Sequence, residues 1–213
     1  RADSTCVDSA AATTAAQGLV DGGVVAIMGA DCSGVTGAIA TNVAAPNGVV
    51  MISPSATSPG LTDLNDNGYF FRTAPSDARG GQILADITKD RKVKSVAITY
   101  TNNDYGKGLA DVYKAAVEAH GIKVTTVAAH EDGKADYSAE VATLASAGGD
   151  AVAVIGYIDQ GGKGIIQASL DSGAFDKFIL SDGMIGDSLT DNFGKALNKS
   201  FGSLPGSTGK GAG

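Results

Sequence analysis

Positive charge is scarce in this chain. Sixteen Lys and Arg residues stand against twenty-three Asp and Glu, the basic residues form no run, and the net charge of −7 would repel a phosphate backbone. Nucleic acid is therefore not an expected partner. Long apolar runs are also missing: none reaches the roughly 18 to 20 residues that a membrane span requires. The first residues lack the basic-then-apolar pattern of a signal peptide, so in an exported protein that signal is expected to have been removed already.

Histidine and cysteine are equally sparse. His120 and His130, without clustered carboxylates, give no zinc geometry, and Asp132 and Asp136 around Gly133 lack the remaining oxygen ligands of a calcium loop. No metal and no cofactor is expected. A G-x-S-x-G elbow is absent, and neither histidine is placed to activate Cys32 as a nucleophile. The tail GSTGKGAG has some likeness to a phosphate loop, but Lys210 is followed by Gly211 instead of Ser or Thr. With no acid/base constellation, an enzyme is not expected. Cys6 and Cys32 are either a buried thiol pair or a disulfide. The disulfide is the favoured reading, and closing that loop would stabilise the fold by about 3 to 4 kcal/mol.

What the chain does have is enough apolar content for a sizeable core: 213 residues, 43% hydrophobic and only 18% charged, suffice for one large or two modest domains. From Val93 onward, short apolar runs alternate with segments of helical period. The runs are VKSVAITY, KVTTVAAH from Lys123, AVAVIGY from Ala151 and KFILSD from Lys177. Such alternation predicts βαβ units and a parallel sheet, with strands apolar on both faces. Between Tyr105 and His120, the residues Leu109, Val112, Tyr113, Ala116 and Val117 make one core-facing stripe, and Gly121 ends that helix. Further helices are expected over residues 78–90, 137–147, 162–172 and 187–199.

Residues 1–75 repeat the theme less completely: helix 9–20, the strand VVAIM, helix 33–45 and the strand VVMIS. The opening helix would normally cross over from a preceding strand, so this lobe reads as incomplete, with its completion expected beyond the sequence. The expected organisation is an N-terminal lobe over 1–75, a second lobe over 76–204 and a return crossover or flexible tail over 205–213. YFFRTAPSD, from Tyr69, is the candidate connection between the lobes, and two short connections would form a hinge.

Ligands of open α/β sheets bind outside the carboxyl ends of the strands. In the first lobe those positions hold Asp31, Cys32 and Ser33, then Ser53, Pro54, Ser55, Ala56 and Thr57. In the second they hold Asn102, Asn103, Asp104 and Tyr105, then Tyr157, then Ser181 and Asp182. The set suits an amino acid held between two closing lobes. Ser33 is either a donor to a ligand carboxylate or a helix N-cap. Thr57 and the backbone of Ser55 and Ala56 either serve the ligand's two charges or form an ordinary turn. Asp182 is the natural partner of an ammonium, and Tyr105 and Tyr157 supply apolar walls or are buried at the sheet edge.

The cysteine pair, Cys32-Ser33, MISPSATSPGLT, YFFRTAPSD, NNDYGKGLA, KADYSAEVATL, VIGYIDQGG and LSDG run collinearly along nearly the whole chain. Together they resemble the type I periplasmic solute-binding proteins of branched-chain amino acid ABC transporters. The resemblance implies a two-lobed Venus-flytrap α/β fold, present here as a partial copy, that captures a small amino acid or related carboxylate and delivers it to a membrane permease. It implies a periplasmic, monomeric protein with the carboxylate serine at Ser33, the small-residue loop at Ser55, Ala56 and Thr57, aromatic walls at Tyr105 and Tyr157, and the acidic ammonium partner at Asp182. The sequence departs from the pattern in two ways: the opening strand and closing segments are absent, and Asp182 stands where leucine binders carry a longer glutamate. A ligand-sensing domain of the same fold is the alternative reading, and an α/β hydrolase a more distant one.

Overall fold

Strands and helices alternate as the apolar spacing predicts, in a computed structural model that describes residues 1–206. The chain divides into two units, one of Arg1–Asp77 with Asn103–Gly108, the other of Ala78–Asn102 with the chain from Leu109 onward.

In the first unit, α1 (Ser9–Asp21) begins where the Asp8 carboxylate accepts the N–H groups of Ala10 and Ala11 at 3.0 and 2.9 Å. The strand β1 (Ala26–Met28) follows, then α2 (Ser33–Ile39), which runs on through a π-helical turn at Ala40–Ala44, then β2 (Val50–Ser53). Residues 69–77 are more than the expected connection. Phe70–Arg72 forms a third strand, β3, because its short apolar run pairs in parallel with β2, giving the order β1-β2-β3. Ile27, Met51 and Phe70 lie in register and join Val35, Ile39 and Val43 in one core. The adjacent row of Met28, Ile52 and Phe71 turns to the opposite face and is 89%, 42% and 54% exposed. The Cys6–Cys32 disulfide is formed, with Cα atoms 5.4 Å apart, and ties the segment before α1 to the start of α2.

The second unit is built from α3 (Asp77–Asp90) after its first residue, β4 (Ser95–Thr101), α4 (Asp104–Ala119) from Leu109 onward, β5 (Lys123–His130), α5 (Ser138–Ala147), β6 (Ala151–Ile155), α6 (Lys163–Ser172), β7 (Phe178–Leu180), α7 (Asp187–Phe193) and β8 (Phe201–Gly202). Its five strands are parallel in the order β5-β4-β6-β7-β8. Central β6 is buried at every residue, as an apolar run covered on both faces should be. The run KVTTVAAH departs from that expectation. As β5 it lies at the sheet edge and is largely half-exposed.

Helix α4 buries Leu109, Tyr113 and Val117 along the expected stripe, and it ends at Gly121, whose φ of +74° lets the chain turn back at little steric cost. The helix expected over 187–199 is shorter. It stops at Phe193, where Gly194 takes φ +45°, and a 3-10 turn at Gly194–Leu197 replaces its last part. Strand β8, too short to announce itself as an apolar run, was not expected. Of the expected tail at 205–213, residues 207–213 lie outside the described residues, and with them most of GSTGKGAG.

Candidate functional site

The first unit gathers Ser33, Ser55, Ala56, Thr57 and Tyr105 near the carboxyl ends of its strands. The N-cap of α2 is Cys32, and Ser33 is the first helical residue, so the N-cap reading of Ser33 does not hold. Ser33 is 1% exposed, and its Oγ accepts the backbone N–H of Ser58 at 3.1 Å. That bond uses an acceptor lone pair and leaves the hydroxyl proton available to donate.

A residue outside the predicted set organises the loop after β2. Ser53 is fully buried and donates from Oγ to the Ala30 carbonyl at 2.6 Å, while the same oxygen accepts the N–H groups of Ala56 at 3.0 Å and Ser55 at 3.4 Å. The expected open backbone at Ser55 and Ala56 is thus engaged inside the loop, and for buried Ala56 the N–H must find an acceptor. Ser55 donates its hydroxyl to the Asp31 carbonyl at 2.9 Å. The carbonyl of Thr57 accepts from the Asp77 N–H at 2.9 Å, and among the described residues its hydroxyl makes no hydrogen bond.

Arg72, at the end of β3, closes the loop from the other side. Its Nη1 donates to the Ser58 carbonyl at 2.7 Å and its Nη2 to Thr62 Oγ1 at 2.7 Å. Burial pushes the guanidinium below its ordinary value while the nearby Asp77 charge opposes that, so the cation is held by its partners. The lone arginine in YFFRT was the available sequence signal. The first turn of α4 completes the cluster: a methyl group on Gly108 would lie 3.0 Å from Pro59 and 3.1 Å from Ser58 Oγ, and Tyr105 in the same turn is only 3% exposed. Tyr105 was expected with the second lobe, and it groups instead with Ser33 and Thr57.

The second unit holds Tyr157 and Asp182. Half-buried Tyr157 follows β6 and opens a π-helical turn at Ile158–Gly162, while Asp182 opens a 3-10 turn at Asp182–Met184 after β7. The two turns are joined at their bases, where the Gly156 N–H donates to the buried Ser181 hydroxyl at 3.2 Å. Each candidate thus stands one residue beyond a shared hydrogen bond. A groove of about 340 Å³ in the first unit lies elsewhere, between α1 residues such as Ala12 and Ala16 and the edge of β1, and it includes none of the predicted site residues.

The profile of the receptor family ligand binding region matches residues 2–203. A Leu/Ile/Val-binding protein homolog of Brucella melitensis is 38% identical over 144 residues, which is 64% of this chain and 39% of that protein. A leucine-, isoleucine-, valine-, threonine- and alanine-binding protein of Pseudomonas aeruginosa is 32% identical over 95% of this chain and 54% of its own length. The leucine-binding protein LivK of Thermotoga maritima superposes with a TM-score of 0.77 at 26% identity, covering 89% of this chain and 54% of that one. LivJ of Streptococcus pneumoniae, solved with isoleucine, gives 0.76 at 26% identity over 92% and 56%. This chain spans about half the length of these relatives, each of which is named as a binding protein and not as an enzyme. The chain belongs to the receptor ligand-binding-region family, and within it to the type I group that contains the branched-chain amino acid-binding proteins.

Proposed function

We propose that this chain is the ligand-binding part of a monomeric, periplasmic solute receptor that captures a branched-chain or similar small amino acid between its two units and hands it to an ABC permease. The observation that carries the reading is the Ser58-to-Ser33 hydrogen bond, which sets the Ser33 hydroxyl against the loop bearing Thr57. Two hydroxyl donors beside each other suit a carboxylate, which accepts several hydrogen bonds at once. Asp182, on the turn tied to the Tyr157 turn, takes the ligand ammonium, since a cation leaving water needs an anionic partner. The rings of Tyr157 and Tyr105 line the ligand's apolar part. Relatives named for leucine, isoleucine and valine support this ligand class.

Calorimetric titration of the full-length protein with L-isoleucine tests the reading. Asp182→Ala should weaken binding at least about tenfold, the loss of roughly 1.4 kcal/mol or more expected when a charge-assisted contact is removed. Unchanged affinity would remove Asp182 from the site.

A further inference from the structure

His130 plays no part in the ligand reading above, yet it sits beneath one of that reading's residues. It closes β5 and is 1% exposed. Its Nδ1 lies 2.8 Å from Thr99 Oγ1 on the neighbouring strand β4, and its ring meets Tyr137 edge-on, with centroids 6.2 Å apart. Nε2 is buried and has no hydrogen-bond partner among the described residues. A buried polar atom of this kind calls for an explanation.

That nitrogen abuts the turn after β6. A methyl group on Gly156 would lie 3.3 Å from Nε2, and one on Gly161 would lie 3.1 Å from His130 Cδ2, 3.1 Å from Asp132 Oδ1 and 2.9 Å from the Tyr137 hydroxyl. Glycine at both positions lets the turn rest directly on the three side chains. The backbone adds one further tie, from the Gly133 N–H to the Gln160 carbonyl at 3.2 Å. Asp132 is itself half-satisfied: Oδ2 accepts from Thr101 Oγ1 at 2.6 Å, while Oδ1 is buried without a hydrogen bond. Between the two glycines stands Tyr157.

We propose that His130 is a positioning residue for Tyr157, and that proton uptake at the His130–Asp132 floor shifts the glycine-flanked turn and the tyrosine it carries. The physical cause is the change in what the ring needs. Neutral imidazole, held by Thr99, leaves one nitrogen unsatisfied. Imidazolium carries a proton on both nitrogens, and the acceptor left over beside Gly161 is Asp132 Oδ1. A ring drawn toward that oxygen has no slack against Gly156 and Gly161, so the turn must follow. The charged groups around the floor are Glu131, Asp132, Lys134 and Asp136 from the β5–α5 loop, Glu140 from α5 and Asp159 from the turn itself. Lys134 is paired with Glu140, and Asp159 with Lys163 at 2.7 Å. Strand β4 contributes only the hydroxyls of Thr99 and Thr101. Burial lowers the imidazole to about 4, so the shift belongs to acid conditions. Its effect on binding rests on the reading of Tyr157 as a ligand wall; the coupling itself does not.

The test is 19F NMR of the ligand-free, full-length protein labelled with 3-fluorotyrosine, with the Tyr157 signal assigned by its loss in Tyr157→Phe. Between pH 7 and pH 3.5, with far-UV circular dichroism confirming the fold at each point, the Tyr157 signal should move with the same midpoint as the His130 ring protons. In His130→Asn, which keeps a partner for Thr99 and cannot titrate, that movement should disappear. Thr99→Val should displace both midpoints together, and it carries the test if His130→Asn does not fold. A Tyr157 signal that stays still while His130 titrates, or that moves unchanged in His130→Asn, overturns the proposal. Failure of the ligand reading is a separate result: Tyr157→Ala would leave L-isoleucine affinity intact while the NMR coupling was present in the wild type.

Discussion

The backbone N–H of Ser58 donates to Ser33 Oγ at 3.1 Å, joining residues 25 positions apart. This bond gives Ser33 two roles, one inside the loop and one toward a ligand. Ser33→Ala should lower stability by about 1 kcal/mol, the ordinary worth of a buried hydrogen bond, seen as a reduced urea midpoint. It should also weaken L-isoleucine at least about tenfold by calorimetry, roughly 1.4 kcal/mol. A stability loss with full affinity would leave Ser33 only the first role.

Arg72 holds the same loop through Ser58 and Thr62. Arg72→Met keeps much of the apolar stem but leaves the Ser58 carbonyl without that donor. Unfolding in urea should become easier by about 1.5 to 3 kcal/mol, the net worth of hydrogen bonds to a charged group, while the Ser58 carbonyl keeps the Leu61 N–H at 3.2 Å. Arg72→Lys should recover part of it, because one ammonium cannot reproduce the forked contact.

The Cys6–Cys32 bond, 26 residues apart, restricts the unfolded chain in the region that leads into Ser33. Cys6→Ala with Cys32→Ala should cost about 3 to 4 kcal/mol in the chain-entropy model. Mass analysis without reductant should find the native protein two hydrogens lighter than its dithiol form.

Acid should destabilise the protein through His130. Burial pushes its imidazole down to about 4 from the ordinary 6.5, with the charges of Glu140 and Glu131 opposing. The unfolded chain therefore binds this proton before the native state does. The contribution is complete above about pH 6.5 and is lost as the pH falls toward 4, by on the order of 3 kcal/mol. Asp132 acts in the opposite sense, because burial raises its carboxyl and favours its neutral form in the native state. The difference in unfolding free energy between the wild type and His130→Asn, measured from pH 7 to pH 4, should shrink as the pH falls. A constant difference would contradict the buried neutral imidazole.

How far the sequence was legible depended on how local the deciding physics was. The stripe of Leu109, Tyr113 and Val117 and the apolar run of β6 needed only periodicity, and both fell where expected. β3 hid in a segment whose three-residue strand is too short for a period to show, and α7 ended early at Gly194 because one backbone dihedral outweighed the helical pattern. Ser33, Thr57, Tyr157 and Asp182 could be named from their places after strands. Ser53 and Ser181 stood at the same places but were given no role, and Arg72 was passed over, because what singles out all three is a hydrogen bond to a residue distant in the chain. His130 stood out in the sequence only as a histidine without clustered carboxylates, and its enclosure at the end of β5 shows only in its burial.

The most direct measurement is a crystal structure of the full-length protein with L-isoleucine. The ligand carboxylate should lie within hydrogen-bond distance, about 3 Å, of Ser33 Oγ and the Thr57 hydroxyl, with its ammonium against the Asp182 carboxylate. A ligand bound away from Ser33 and Thr57, or an ammonium paired with some group other than Asp182, would contradict the proposed site.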